Sequence, residues 1–134
     1  MALQKLKISR LYKDIDLSFS ANALSGDIGK KFDVNAVKQS VKSLLLTKPH
    51  EKFFHPERGS GVEQYLFEPM SPGIEISLKK TIELLIENYE PRCEIIELYC
   101  TANYDLNYYA VTLRFKVIGI NEPEELTVNL TRLR

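Results

Sequence analysis

Apolar positions along the chain change period part-way, and the elements follow from that change. Val34, Val37, Val41, Leu44 and Leu45 recur every three or four residues, the spacing of one helix face, with Lys38 and Lys42 outside. This predicts a helix ending near residue 46, which Asp33 or Asn35 can cap by accepting from the free N–H groups of the first turn. Ser71 followed by Pro72 is a second start, because Ser caps and Pro is preset for the first helical position. Ile74, Leu78, Ile82, Leu85 and Tyr89 then mark one face, with Glu75, Lys79, Lys80, Glu83 and Glu87 towards water. Pro91 ends this helix, since the residue before a proline is pushed towards extended geometry.

Beyond Pro91 the period drops to two. Ile96, Leu98, Cys100 and Ala102 alternate with Ile95, Glu97, Tyr99 and Thr101. After a turn at 103–107, Tyr109, Val111, Leu113, Phe115 and Val117 alternate with Tyr108, Thr112, Arg114 and Lys116. A second turn holds Asn121 and Pro123, and Leu126, Val128 and Leu130 then alternate with Thr127, Asn129 and Thr131. Short connections and one apolar face per strand predict an α+β, two-layer sandwich: a three-stranded antiparallel meander carrying both main helices on one face. The outer strands would be residues 95–102 and 126–133, the second of them free of proline and of charge before Arg132.

The remaining segments are less regular. Tyr12, Ile15, Leu17 and Phe19 stand among Asp14, Asp16 and Ser18, which suggests an extended arm laid on the body and ending in the loop around Gly26 and Gly29. From Thr47 to Pro72 breakers crowd the chain, predicting a long connection tied down by Phe53, Phe54, Tyr65, Leu66 and Phe67 and suited to function. With 134 residues, 44% of them hydrophobic and 27% charged, the chain fits one domain over 1–134, with 1–32 as arm and loop.

Charge changes the picture modestly. Eighteen basic residues balance eighteen acidic ones, so no global field points to nucleic acid or an anionic membrane. Residues 1–60 carry a net +5 and residues 61–134 a net −5, which fits either scattered solvated charge or copies and partners packing head to tail. Met1 to Lys7 interrupts every apolar stretch with charge, and no apolar run spans a membrane, so the expectation is a protein made in the cytoplasm. Cys93 and Cys100, seven apart, fall on opposite faces of a continuous strand and form no disulfide framework.

Little in the sequence carries catalytic chemistry. His50 and His55 share the long connection, but no further His or Cys stands at metal spacing, and neither metal nor cofactor is expected. Gly59-Ser60-Gly61 lacks the Lys-Ser/Thr sequel of a phosphate cradle and reads as a turn. Glu63 and Glu68, beside Tyr65, Phe67 and Pro69, are the pair nearest to a glycosidase arrangement, though such pairs arise readily among eighteen acidic residues. Glu90-Pro91-Arg92 is more informative. An acid at a helix C-terminus faces the negative end of the dipole; either Arg92 compensates locally, or Pro91 presents both charges to a partner.

Three stretches together point to a family. Glu90-Pro91-Arg92 after an amphipathic helix, Phe54-His55-Pro56-Glu57-Arg58-Gly59-Ser60-Gly61-Val62, and Leu66-Phe67-Glu68-Pro69 resemble the baseplate wedge and sheath-initiator proteins of contractile injection machines. Leu11-Tyr12-Lys13-Asp14-Ile15-Asp16 is similar to the wedge proteins of T-even-like phages. The resemblance implies a structural, non-enzymatic virion component, six copies per baseplate ring, with a fold like the conserved sheath domain. It also implies that Glu90, Pro91 and Arg92 grip the helical core bundle of the wedge. Sheath would add by strand pairing at a sheet edge, here taken as Leu126, Thr127, Val128, Asn129, Leu130 and Thr131. The family has also carried a lysozyme label, which keeps a peptidoglycan hydrolase as the alternative.

Overall fold

A computed structural model describes residues 11–131. The expectations for Met1 to Lys7 and for Arg132 and Leu133 lie outside them. Three antiparallel strands form the main sheet: β3 (Cys93–Asn103), β4 (Tyr108–Val117) and β5 (Pro123–Thr131), in the order β3-β4-β5. They follow a two-stranded ribbon, β1 (Lys13–Ile15) and β2 (Lys30–Phe32), and the helices α1 (Asp33–Leu46), α2 (Val62–Leu66) and α3 (Pro72–Tyr89). The α+β meander and both main helices stand as the periodicity predicts.

The core lies between the helices and one face of the sheet. Leu78, Ile82 and Ile86 of α3 and Val37 and Val41 of α1 are fully buried against Val111, Leu113, Phe115 and Val117 of β4. Each such side chain contributes roughly 1.5–3 kcal/mol over leaving it in water. Ser71 Oγ accepts from the Ile74 N–H and Pro72 opens α3, as expected. The start of α1 differs. Neither Asp33 nor Asn35 caps it; Asp33 adopts a φ of 48° and turns its carboxylate back to accept from the N–H groups of Leu11 and Tyr12. Asp33 thus ties the arm to the helix instead of closing the helix end.

Strand β3 departs from simple alternation. The register steps between Ile95 and Glu97, a bulge that leaves Ile96 without a partner in β4. One extra residue reverses parity, so Ile95 packs on the core while Ile96 faces solvent. The same bulge brings Cys93 and Cys100 to one inward face, contrary to the expectation for a continuous strand. Both are free thiols, pushed by burial up to about 12 and about 11. Strand β5 begins earlier than expected, at Pro123, and so includes a proline and the charges of Glu124 and Glu125.

The arm is a ribbon whose polar side faces the body. Tyr12 packs against the core, but Ile15, Leu17 and Phe19 are exposed, because the inward positions go to Asp14 and Asp16, which meet Arg92 and Lys31. The long connection contains α2 and closes on itself by backbone bonds: His50 N–H to Pro56 O, Ser60 N–H to Thr47 O. Tyr65 and Leu66 anchor it, whereas Phe53 and Phe54 are 97% and 92% exposed and Phe67 is half exposed. Gly59 lies so close to Pro49 that an added Cβ would sit 2.3 Å from the Pro49 Cα. Gly59→Ala should therefore displace this loop and lower stability by about 1–3 kcal/mol, read as a thermal-melt shift; an unchanged melting point would contradict the contact. Among the described residues no helix is long and apolar enough to cross a membrane.

Candidate functional sites

Glu90 caps the C-terminus of α3 and is 3% exposed. Its carboxylate accepts a fork from Arg92, with Nε at 2.6 Å from Oε1 and Nη2 at 3.0 Å from Oε2, and a further bond from Ser40 Oγ of α1. Arg92 Nη1 reaches Asp14 Oδ2 of β1 at 3.2 Å. The guanidinium also lies over the Tyr12 ring, 5.6 Å from its centroid, and the Tyr12 hydroxyl donates to Ile118 O just beyond β4. Pro91 is exposed between its two buried or half-buried neighbours. One ion pair thus joins α3, α1, the arm and the sheet.

The electrostatics follow from this packing. Burial alone pushes the Glu90 carboxyl up, but the hydrogen bonds from Arg92 and Ser40, with the guanidinium charge, hold it below its ordinary 4.5. Arg92 is driven higher than usual, first by its bond to Glu90. The local compensation of the helix dipole is therefore real, and Glu90 is not a free surface charge. Among the described residues, three of the five guanidinium N–H groups are used. The other two remain for a further acceptor. Beside this cluster a cleft of about 340 Å³ is lined by Asp14, Ile15, Ser40, Arg58 and Tyr89 among others, with Arg58 stacked 5.8 Å over the Tyr89 ring. Sequence reasoning placed Tyr12 and Asp14 in the arm but linked neither them nor Ser40 to Glu90-Pro91-Arg92; no spacing signal links positions so far apart.

The sheet has two outer strands that are not equivalent. Ile118 donates its N–H to Arg92 O, which turns the even-numbered N–H groups of β4 towards β3 and the odd-numbered ones towards β5. With Leu113 opposite Leu126 and Val111 opposite Val128, the even residues of β5 bond β4 and the odd ones point outward. Pro123, which has no N–H to give, occupies such an outward position. Thr127, Asn129 and Thr131 therefore direct their N–H groups away from the sheet, and their side chains are exposed. On β3 the outward groups are those of Leu98, Cys100 and Ala102, whose side chains face the core; the Ala102 N–H already donates to Glu75 Oε1 of α3 at 3.0 Å. Glu97 and Tyr99 pair with Arg114 and Thr112 through their inward groups, so neither directs its N–H to this edge.

The nominated carboxylates do not form a cleft pair. Glu63 is bound to Lys48 Nζ at 2.8 Å, and Glu68 is exposed beyond the end of α2. His55 Nδ1 lies 3.3 Å from Glu57 Oε1, both of them well exposed. Among the described residues no group of three or more His, Cys, Asp or Glu is placed to hold a metal ion.

Residues 33–121 match the family described as Baseplate wedge protein gp25. The chain belongs to that family. Baseplate wedge protein gp25 of Enterobacteria phage T4 is 29% identical over 119 residues, covering 89% of this chain and 88% of that protein. Two solved structures share the fold. One, from Geobacter sulfurreducens and bearing the name tail lysozyme, gives a TM-score of 0.67 at 15% identity over 73% of this chain and 89% of its own. The other, in the six-fold symmetrised baseplate of the anti-feeding prophage, gives 0.64 at 16% identity over 92% and 87%. A gp25-family member is a structural component of a contractile-tail baseplate wedge, placed in the phage tail alongside other baseplate proteins.

Proposed function

We propose that this chain acts as one domain that joins the helical core bundle of the wedge to the first ring of tail sheath, in six copies per baseplate. It is made in the host cytoplasm and carries no catalytic role. The observation that supports it is the asymmetry of the sheet: on β3 the outward Ala102 N–H is taken by Glu75 and the outward-bonding residues turn their side chains into the core, while β5 offers outward N–H groups on exposed residues. Unpaired backbone groups recruit a strand without needing a deep pocket. Core-bundle binding is assigned to Pro91 and the two unused Arg92 donors, with Glu90 acting through Arg92 as a positioning residue. The test is assembly from purified wedge proteins, with β5 and Arg92 variants scored separately for wedge incorporation and for sheath recruitment.

The fold shared with a protein named tail lysozyme keeps hydrolysis as a second reading. The Lys48 pairing of Glu63 and the exposure of Glu68 count against it, since a glycosidase acid needs an apolar surround that raises its pKa. Purified protein is expected to leave a peptidoglycan suspension turbid. Clearing that is lost in Glu63→Gln or Glu68→Gln would establish an enzyme.

A further inference from the structure

The outward N–H groups of β5 border an open groove. About 240 Å³ of space lies between the end of β5 and the helices, lined by Leu45, Leu46, Val62, Leu66 and Phe67, with Asn129, Leu130 and Thr131 forming one bank. An engineered cavity of about 150 Å³ accommodates benzene, so this space suits one aromatic or two aliphatic side chains. At its rim Lys48 and Glu63 neutralise each other at 2.8 Å, leaving no net charge to attract a charged guest. A second opening shares Leu46 and continues to Leu126, but most of its lining residues are polar or charged, Glu51 among them. There Lys38 is paired with Glu124 and Lys31 with Asp16, whereas Lys42 has no carboxylate partner among the described residues.

Side chains of an added strand alternate in step with those of β5, so every second one falls on the helix side of the sheet about 4.8 Å from its neighbour in β5. Resting on the strand-addition reading above, the geometry points to a specificity rule for the guest: an extended segment of another chain, with a large apolar side chain level with Leu130 and an acidic one four residues away, level with Leu126. The first fills the apolar groove; the second meets Lys42. Backbone pairing supplies affinity, and the groove selects which segment binds and in what register.

The test uses the full chain in assembled baseplates with purified sheath protein. Leu46 is half exposed, so Leu46→Lys should fold and enter wedges normally while lowering sheath seeding about ten-fold or more. Leu46→Met should seed like wild type, and Lys42→Glu should lower seeding several-fold, with the loss fading as salt is raised. As an independent readout, a Leu46→Cys thiol should be shielded from maleimide once sheath is seated; Cys93 and Cys100, pushed up by burial, give little background. Normal seeding by Leu46→Lys together with failure of Asn129→Pro would mean that the edge binds and the groove is idle, overturning the inference alone. Normal seeding by both would overturn the strand-addition reading with it. An unshielded thiol on sheathed particles would overturn the groove assignment directly.

Discussion

Arg92→Ala is expected to destabilise the protein by about 3 kcal/mol, because it strands a buried carboxylate without its cation. For a chain of this size that is roughly a 10 °C fall in melting temperature. A surface ion pair would contribute only about 0–1 kcal/mol, and the sequence alone suggests that smaller value. Burial of Glu90 under Ser40 and Arg92 makes the difference. The pH dependence gives a second check. Glu90 lies below 4.5 when folded, so the stability it contributes is present above that value and is lost as pH falls through the depressed one. In Arg92→Ala burial acts unopposed, the folded carboxyl rises, and protonation then favours the folded state. As pH falls, the gap between wild type and variant should therefore begin to narrow above 4.5, where the variant's raised carboxyl protonates, and go on narrowing through the wild type's depressed value; a constant gap would refute the buried pair.

Loss of wedge assembly in Arg92→Ala cannot by itself distinguish recognition from instability. The double variant Glu90→Gln with Arg92→Met removes both charges and should recover much of the stability. If it binds the core bundle as wild type does, the motif is only an internal brace. If it folds but fails to bind, the two free guanidinium donors are the contact. Arg92→Lys should be intermediate in both respects, since an ammonium cannot make the planar fork.

The parts of this architecture visible in the sequence are those where one face repeats without interruption. Alternation from Tyr109 to Val117 and from Leu126 to Leu130 reads directly as the buried face, as does the spacing from Ile74 to Tyr89. The bulge was hidden because Ile95 and Ile96 are both apolar, so either could have been inward. The arm misled for a different reason. Its apolar residues suggested packing, but Arg92 on the body draws Asp14 inward, and Asp16, of the same parity, turns to Lys31 on the facing ribbon strand, an arrangement set by partners distant in sequence. Phe53 and Phe54 stay outside because backbone bonds and the Gly59–Pro49 approach already close their loop. Of the candidate sites, the residues of Glu90-Pro91-Arg92 could be named from sequence, but not that the acid would be buried. The openness of β5 needed the register, since only pairing tells which N–H groups face outward.

That register gives Asn129→Pro a sharp expectation. The Asn129 N–H points away from β4, so a proline there breaks no internal ladder bond, and its exposed side chain leaves no cavity. The fixed φ of proline costs about 1 kcal/mol in a strand, so the variant should fold and enter wedges. Sheath recruitment should fall by about two powers of ten, because β5 loses one outward donor, the incoming strand is left with an unpaired carbonyl, and that strand meets the proline ring at close range. Thr127→Pro and Thr131→Pro should act likewise. Val128→Pro is the contrasting control: its N–H bonds β4 and its side chain is buried, so it should unfold the sheet edge. Glu97→Pro and Tyr99→Pro belong with that destabilising control, since their N–H groups also serve β4. Counting sheathed baseplates by negative-stain microscopy decides the matter. Normal sheath on Asn129→Pro particles would mean that β5 is not the edge used, and a map placing sheath only on α1 and α3 would exclude strand addition altogether.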